Sequence, residues 1–166
     1  MKFLSIETDH HILRPIGYGL VEKYVKRGAP VRSAAEQFTI QLDATQFESH
    51  ILYVPKPVAF ERRSYTMPMI SKGFYVPSQY YSTCKPLLYE IVRFIGFMLK
   101  RHYFLHSFTI IYDTIQERFA LLDFSRCGFI QGTAVRFPRD DNTYSIDEAD
   151  TKYGFPIDMN LLYDCT

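Results

Sequence analysis

The chain has 166 residues, 47% of them hydrophobic and 22% charged, and 19 Lys and Arg against 18 Asp and Glu leave a formal net charge of +1. A single domain of that length can bury a core that needs no metal or disulfide staple, and so even a charge balance gives no electrostatic reason to expect a nucleic-acid or membrane partner. Cys84, Cys127 and Cys165 are odd in number and lack C-x-x-C spacing, the N-terminus turns polar too soon for a signal peptide, and no apolar run approaches the ~20 residues of a membrane span, so unpaired thiols in the cytoplasm or another reducing compartment are expected.

In chain order, His11 to Arg27 reads as two short strands meeting at Gly17-Tyr18-Gly19, and Gly28-Ala29-Pro30 breaks the chain. Ser33-Ala34-Ala35-Glu36 is a capping-box pattern that starts a helix, with Phe38, Leu42 and Phe47 expected on its apolar face. Pro55 and Pro57 forbid a helix over Val54 to Val58. Val58-Ala59-Phe60 and Tyr65-Thr66-Met67 read as a hairpin turning through Glu61 to Ser64. From Pro86 to about Lys100, Leu87, Ile91, Phe94, Ile95 and Met98 recur at three- and four-residue spacing, the pattern of an amphipathic helix. Thr109 to Tyr112 and Arg118 to Leu122 form a second hairpin around Asp113 to Glu117. The polar, acidic stretch from Pro138 to Lys152 is expected as a surface loop, and the apolar stretch from Tyr153 to Tyr163 as a final short helix. The pattern is α+β, with strands and helices segregated.

This order, and particular residues in it, resembles the protein-kinase superfamily. Ile110-Ile111-Tyr112-Asp113 followed by Phe119-Ala120-Leu121-Leu122-Asp123-Phe124-Ser125 is similar to the kinase hairpin that ends in D-F-G, whose Asp holds Mg²⁺ on the nucleotide phosphates. Ile16-Gly17-Tyr18-Gly19 resembles the opening of a glycine-rich loop, without its third glycine. Val25-Lys26 resembles the strand lysine that grips phosphates, and Glu36 its helix partner. Val54 to Phe60 and Tyr65 to Ile70 resemble the strands leading to the kinase hinge, and Pro156-Ile157-Asp158-Met159 the start of the helix whose aspartate braces the catalytic loop. The resemblance implies one kinase-like domain over residues 1–166, with a minimal strand-rich N-lobe over 1–70 and a truncated helical C-lobe over 71–166. It implies Gly17, Gly19, Lys26, Glu36 and Asp123 as remnants of a nucleotide site, with Asp123 as the Mg²⁺ ligand. Plainer readings stand beside these: Glu36 at the third position of its capping box, Lys26 on a solvated strand face, and the glycines as a tight turn.

The kinase catalytic loop, H-R-D-x-x-x-x-N, is not intact. Counting back from Asp-Phe-Ser, Phe104 falls at the position of the catalytic Asp and Thr109 at that of the Asn; with a shortened loop starting at His106-Ser107, Phe108 falls there instead. Neither alignment supplies a carboxylate between His102 and Tyr112. His106 is a candidate substitute base, against the plainer reading of a structural histidine. His102 and His106 at i, i+4 lack a third zinc ligand, and Cys127 reads as a buried structural thiol.

The expectation is therefore a catalytically inactive, pseudokinase-like binding or scaffolding module that requires no cofactor, with ATP and Mg²⁺ as the ligands its remnant site would take. Aromatics at 16% of the chain and the early end of the kinase resemblance suit a protein partner or self-association, without nucleic acid or membrane. An atypical small ATP-dependent phosphotransferase and a purely structural subunit of a larger assembly, such as a viral particle, are the alternative readings.

Overall fold

The computed structural model describes residues 5–154. In chain order, Ile6–Glu7 (β1), His11–Gly17 (β2) and Leu20–Val25 (β3) precede helix α1, Ala34–Ala44; Leu52–Tyr53 (β4), Ala59–Phe60 (β5), Ser64–Pro68 (β6) and Gly73–Tyr75 (β7) then lead through a 3-10 turn, Ser78–Ser82, into helix α2, Lys85–Lys100. Tyr103–Phe104 (β8), Thr109–Asp113 (β9), Arg118–Leu122 (β10), Gly128–Gln131 (β11), Ala134–Arg136 (β12) and Tyr144–Ser145 (β13) precede helix α3, Ile146–Tyr153. The α+β class is as expected.

The strands form three sheets. One runs β1-β2-β3-β6-β5, antiparallel throughout. The second runs β4-β10-β9-β7, with β4 parallel to β10 and the rest antiparallel. The third runs β13-β12-β11-β8, again antiparallel. The second half of the chain is thus richer in strands than expected. From β7 on it carries three strands of the second sheet and all four of the third, rather than a mainly helical lobe.

The first hairpin turns where its glycines permit. Gly17, Tyr18 and Gly19 all have positive φ, at 90°, 57° and 71°, a backbone that glycine adopts without strain. Helix α1 starts as its capping box dictates. The Ser33 hydroxyl accepts the Glu36 N–H and the Glu36 carboxylate accepts the Ser33 N–H. Its buried stripe differs from expectation, because Ala34, Gln37, Ile40, Gln41 and Ala44 face inward while Phe38, Leu42 and Phe47 are only half-buried. The spacing of 3, 3, 1 and 3 residues is that of one helical face, and two glutamines sit in it because the groups they meet are polar. Phe38 packs on the flank against Phe60, ring centroids 5.0 Å apart.

Helix α2 organises the main core. Leu87, Leu88, Ile91, Phe94 and Met98 are at most 1% exposed and pack against Leu105, Phe108, Ile110, Leu121 and Phe124. Each such side chain contributes roughly 1.5–3 kcal/mol by leaving water, so this helix anchors the β9–β10 hairpin firmly. Asp113 closes that hairpin's turn: its carboxylate accepts the Ile115 and Gln116 N–H groups and the Tyr53 hydroxyl, the last at 2.5 Å. Burial raises the Asp113 pKa, but these donors outweigh it and hold the carboxyl below the usual carboxylate range.

A second core joins Phe104, Ile130, Val135, Phe137 and Ala149. It corrects the expected Pro138–Lys152 surface loop, whose last part folds as α3. Ser145 and Glu148 form another reciprocal capping box, and Ala149 seats the helix on the sheet. Only Tyr153 of the expected terminal helix belongs to α3, as its last residue. Gly154 ends α3 as its C-cap, and the rest of that helix, with Asp158, lies outside the described residues. Gly128 fits this core without a spare methyl's width: a Cβ there would stand 2.9 Å from both the Phe137 ring and a Val135 methyl. Gly128→Ala is expected to cost about 2 kcal/mol by overpacking, read as a lower urea midpoint with an unchanged m-value.

Candidate functional site

Strand alternation sets the site. On β3, Val21, Lys23 and Val25 share a face, and the two valines pack on the Ala34, Tyr65 and Met67 cluster beneath α1. Lys23 is carried inward with them and is 4% exposed. A buried ammonium needs a counter-charge, and Asp123 supplies it: Lys23 Nζ lies 3.1 Å from Asp123 Oδ1. The pair bridges two sheets, since β3 belongs to the first and Asp123 directly follows β10 of the second. The Asp123 side chain remains 41% exposed against 5% for that of Lys23, so the pair opens to water on its acidic side.

Asp123 is held in an uncommon conformation. Its φ is +69°, a left-handed value that aspartate tolerates better than most residues because its short polar side chain bonds locally. Here Oδ1 accepts the Ser125 N–H at 3.3 Å. Burial raises the Asp123 pKa, but the Lys23 ammonium and the bond from Ser125 outweigh it and hold the carboxyl far below the usual carboxylate range. Burial likewise works against the Lys23 ammonium, and Tyr65 with Asp123 overcomes it, so the lysine titrates above its ordinary value.

A polar chain continues behind the pair. Tyr65 lies opposite Lys23 in the β3–β6 register and donates its hydroxyl to Gln41 Oε1 at 3.1 Å. Gln41 Nε2 in turn donates to the Pro55 carbonyl at 2.8 Å. One turn earlier on α1, Gln37 Nε2 donates to the Arg32 carbonyl at 2.8 Å and lies 3.1 Å from His11 Nε2. His11 is 5% exposed. Burial first, and then the Lys23 charge, lowers its pKa to about 4, so the ring is neutral at pH 7 and accepts from Gln37. Sequence reading missed Lys23, His11, Gln37 and Gln41; the parity of Lys23 with Val21 and Val25 was the available signal for the first.

The other expected residues fall elsewhere. Lys26 stands past the end of β3, and its Nζ lies 2.6 Å from Glu7 rather than near Asp123. Glu36 does not meet Lys26; it caps α1 and lies 3.6 Å from Arg32. The Gly17–Gly19 turn lies four or more residues from Lys23 along β3, roughly 13 Å at strand rise, and Tyr18 at its tip is fully exposed. Asp123 alone of the expected nucleotide-site residues belongs to the cluster. Among the described residues no group of three or more His, Cys, Asp or Glu side chains is placed to hold a metal ion.

Around the loop before β9, Phe104 and Phe108 are both buried, at 5% and 8% exposure, one in each of the two larger cores. His106 is half-buried against the rings of Phe137 and Tyr153, and its Nδ1 has no hydrogen-bond partner among the described residues. His102 is exposed with φ +68°. The Cys127 thiol is fully enclosed, and burial pushes its pKa up to about 12, which removes it as a nucleophile. Arg32 fastens the segment after Asp123 to α1: its side chain donates to the Cys127 and Arg136 carbonyls and stacks on Phe129, 3.7 Å from the ring centroid.

The described residues thus form a buried polar cluster of Lys23, Asp123, Tyr65, His11, Gln37 and Gln41 between two sheets and a helix, in which Gln37 Oε1 has no hydrogen-bond partner among the described residues. No helix among them is long and apolar enough to cross a membrane. No protein family, curated protein or solved structure matches the chain.

Proposed function

We propose that this chain is a catalytically inactive, kinase-like module that works by binding a protein, either a partner or a second copy of itself. The observation that carries the reading is the direct Lys23–Asp123 contact at 3.1 Å. In protein kinases a lysine on the third strand holds nucleotide phosphates and a helix glutamate, and an aspartate after the hairpin holds Mg²⁺. In this chain a third-strand lysine and the Asp of Asp-Phe-Ser neutralise each other. The facing helix offers Gln37 and Gln41 instead of a carboxylate. Phenylalanines fill both positions to which the catalytic base aligns, and phenylalanine neither accepts a proton nor orients a hydroxyl.

Support for a binding role comes from the far sheet. Strand β7 is the outermost of its sheet, and Phe74 and Tyr75 on it are 59% and 66% exposed. With Pro77, Tyr80, Tyr112 and Phe119 they line a groove of about 530 Å³. Aromatic side chains exposed together are what protein interfaces favour.

The test is a radiolabel-transfer assay with ATP and Mg²⁺, scoring the chain itself and a generic protein acceptor. No transfer above background is expected. Transfer that disappears in Asp123→Asn overturns the reading and makes the chain an atypical phosphotransferase; loss in His106→Ala as well would name the base. Sedimentation across a concentration series then separates self-association from a requirement for another protein.

A further inference from the structure

The β3–α1 connection lines a cavity of about 450 Å³ that includes neither member of the buried pair. Lys26 and Arg27 reach it from the end of β3, Arg62 and Arg63 from the β5–β6 turn, and Arg139 from the segment after β12. Three separated stretches of chain therefore bring cations to one concavity, in a protein whose formal net charge is only +1. Its acidic wall residue, Glu36, is already engaged by Ser33 and Arg32. Lys26 is offset by Glu7. Arg27, Arg62, Arg63 and Arg139 have no carboxylate partner among the described residues. Guanidinium groups gathered without carboxylate partners of their own repel one another, and a concave wall concentrates their field.

We propose that this cavity binds a compact polyphosphate, a small molecule carrying at least two phosphate groups. A phosphate monoester near neutral pH carries about −1.5 to −2, so one phosphate balances two of the four unpaired guanidinium groups and two or more are needed to balance all four. Guanidinium groups grip phosphate oxygens two at a time, which suits arginine over lysine at these positions. The volume lies within the range of small-molecule pockets, and a net charge of +1 gives the chain no overall pull on nucleic acid. The site shares neither Lys23 nor Asp123, so it stands whether or not the kinase-like reading holds.

The probe is sodium tripolyphosphate, titrated calorimetrically into the full chain, beside orthophosphate, a phosphoserine peptide and a single-stranded oligonucleotide. Tripolyphosphate is expected to bind at least about tenfold more tightly than orthophosphate, weakening as salt rises. Arg63→Ala and Arg139→Ala should each lower its affinity by roughly tenfold or more, the effect of losing one charge-assisted contact, while Arg14→Ala, on the exposed β2 face, leaves it unchanged. Without ligand, these cavity variants should melt no lower than the parent chain, since they relieve repulsion. Absence of tripolyphosphate binding, or equal affinity in the variants, overturns the site. Tighter binding of the peptide or the oligonucleotide overturns the assignment to a small molecule. Arg62→Ala, at an exposed turn, keeps the test intact if another variant fails to fold.

Discussion

Asp123→Ala is expected to lower the folding free energy by about 3 kcal/mol, the low end for breaking a buried ion pair. The loss arises from what is left behind. Lys23 stays 4% exposed among Val21, Val25 and Tyr65, with a charge that has lost its counter-ion. The low end applies because the Asp123 side of the pair is 41% open, so water replaces part of the carboxylate's role. For a chain of this size the loss lowers the melting temperature by roughly 6–12 °C. Lys23→Met should behave differently. It removes the buried charge and fills the space with a flexible apolar side chain, and the Asp123 carboxylate it leaves unpaired is 41% open to water, so the loss should be smaller than that of Asp123→Ala. The double variant should therefore be more stable than Asp123→Ala alone, and a thermodynamic cycle of the four proteins measures the coupling directly. An Asp123→Ala protein that melts with the parent chain would show that Lys23 finds its compensation elsewhere.

The role of Lys23 also shows where sequence reading succeeds and stops. Local signals were legible: the Ser33–Glu36 capping box, the Gly17–Gly19 turn, the β5–β6 hairpin and the apolar stripe of α2 all appear where their patterns require. Each depends on neighbours within a few residues. The choice of Lys23 over Lys26 depends on which face of β3 meets α1, and motif matching at Val25-Lys26 overlooked the alternation Val21, Lys23, Val25 that carries the answer. Gln37 and Gln41 could not be read as core, because their burial is licensed only by distant partners, His11, Tyr65 and Pro55. Helix α3 was legible in principle from Ser145 and Glu148, but the surrounding acidic residues suggested a solvated loop. The two-residue link between β11 and β12 begins with Gly132 at φ +61°, also a readable hairpin signal. Strands β8 and β13, at two residues each, exist only through pairing with β11 and β12 and leave no periodicity of their own.

His11 makes the fold acid-sensitive in a window of its own. Its folded pKa is about 4 against the ordinary 6.5, because burial and the Lys23 charge oppose protonation. Between those values the unfolded chain binds a proton at this residue and the folded chain does not, so unfolding takes up a proton and stability rises with pH. The contribution is fully present above pH 6.5 and is lost as pH falls toward 4. A difference of that size is worth about 3 kcal/mol over the whole window, at 1.36 kcal/mol per unit. Asp123 acts lower. Its carboxyl is depressed, so its contribution is present above the ordinary carboxylate pKa and is lost only as pH falls below it, through the folded value. The two groups are therefore separable by pH alone. Urea unfolding from pH 7 to pH 4.5 should show the parent chain losing most of that 3 kcal/mol. His11→Gln, which keeps a hydrogen-bonding group near Gln37 but cannot titrate, should show a nearly flat profile over the same range. A His11→Gln protein with the parent's slope would mean that another group carries the acid sensitivity and that His11 is not held neutral by its site.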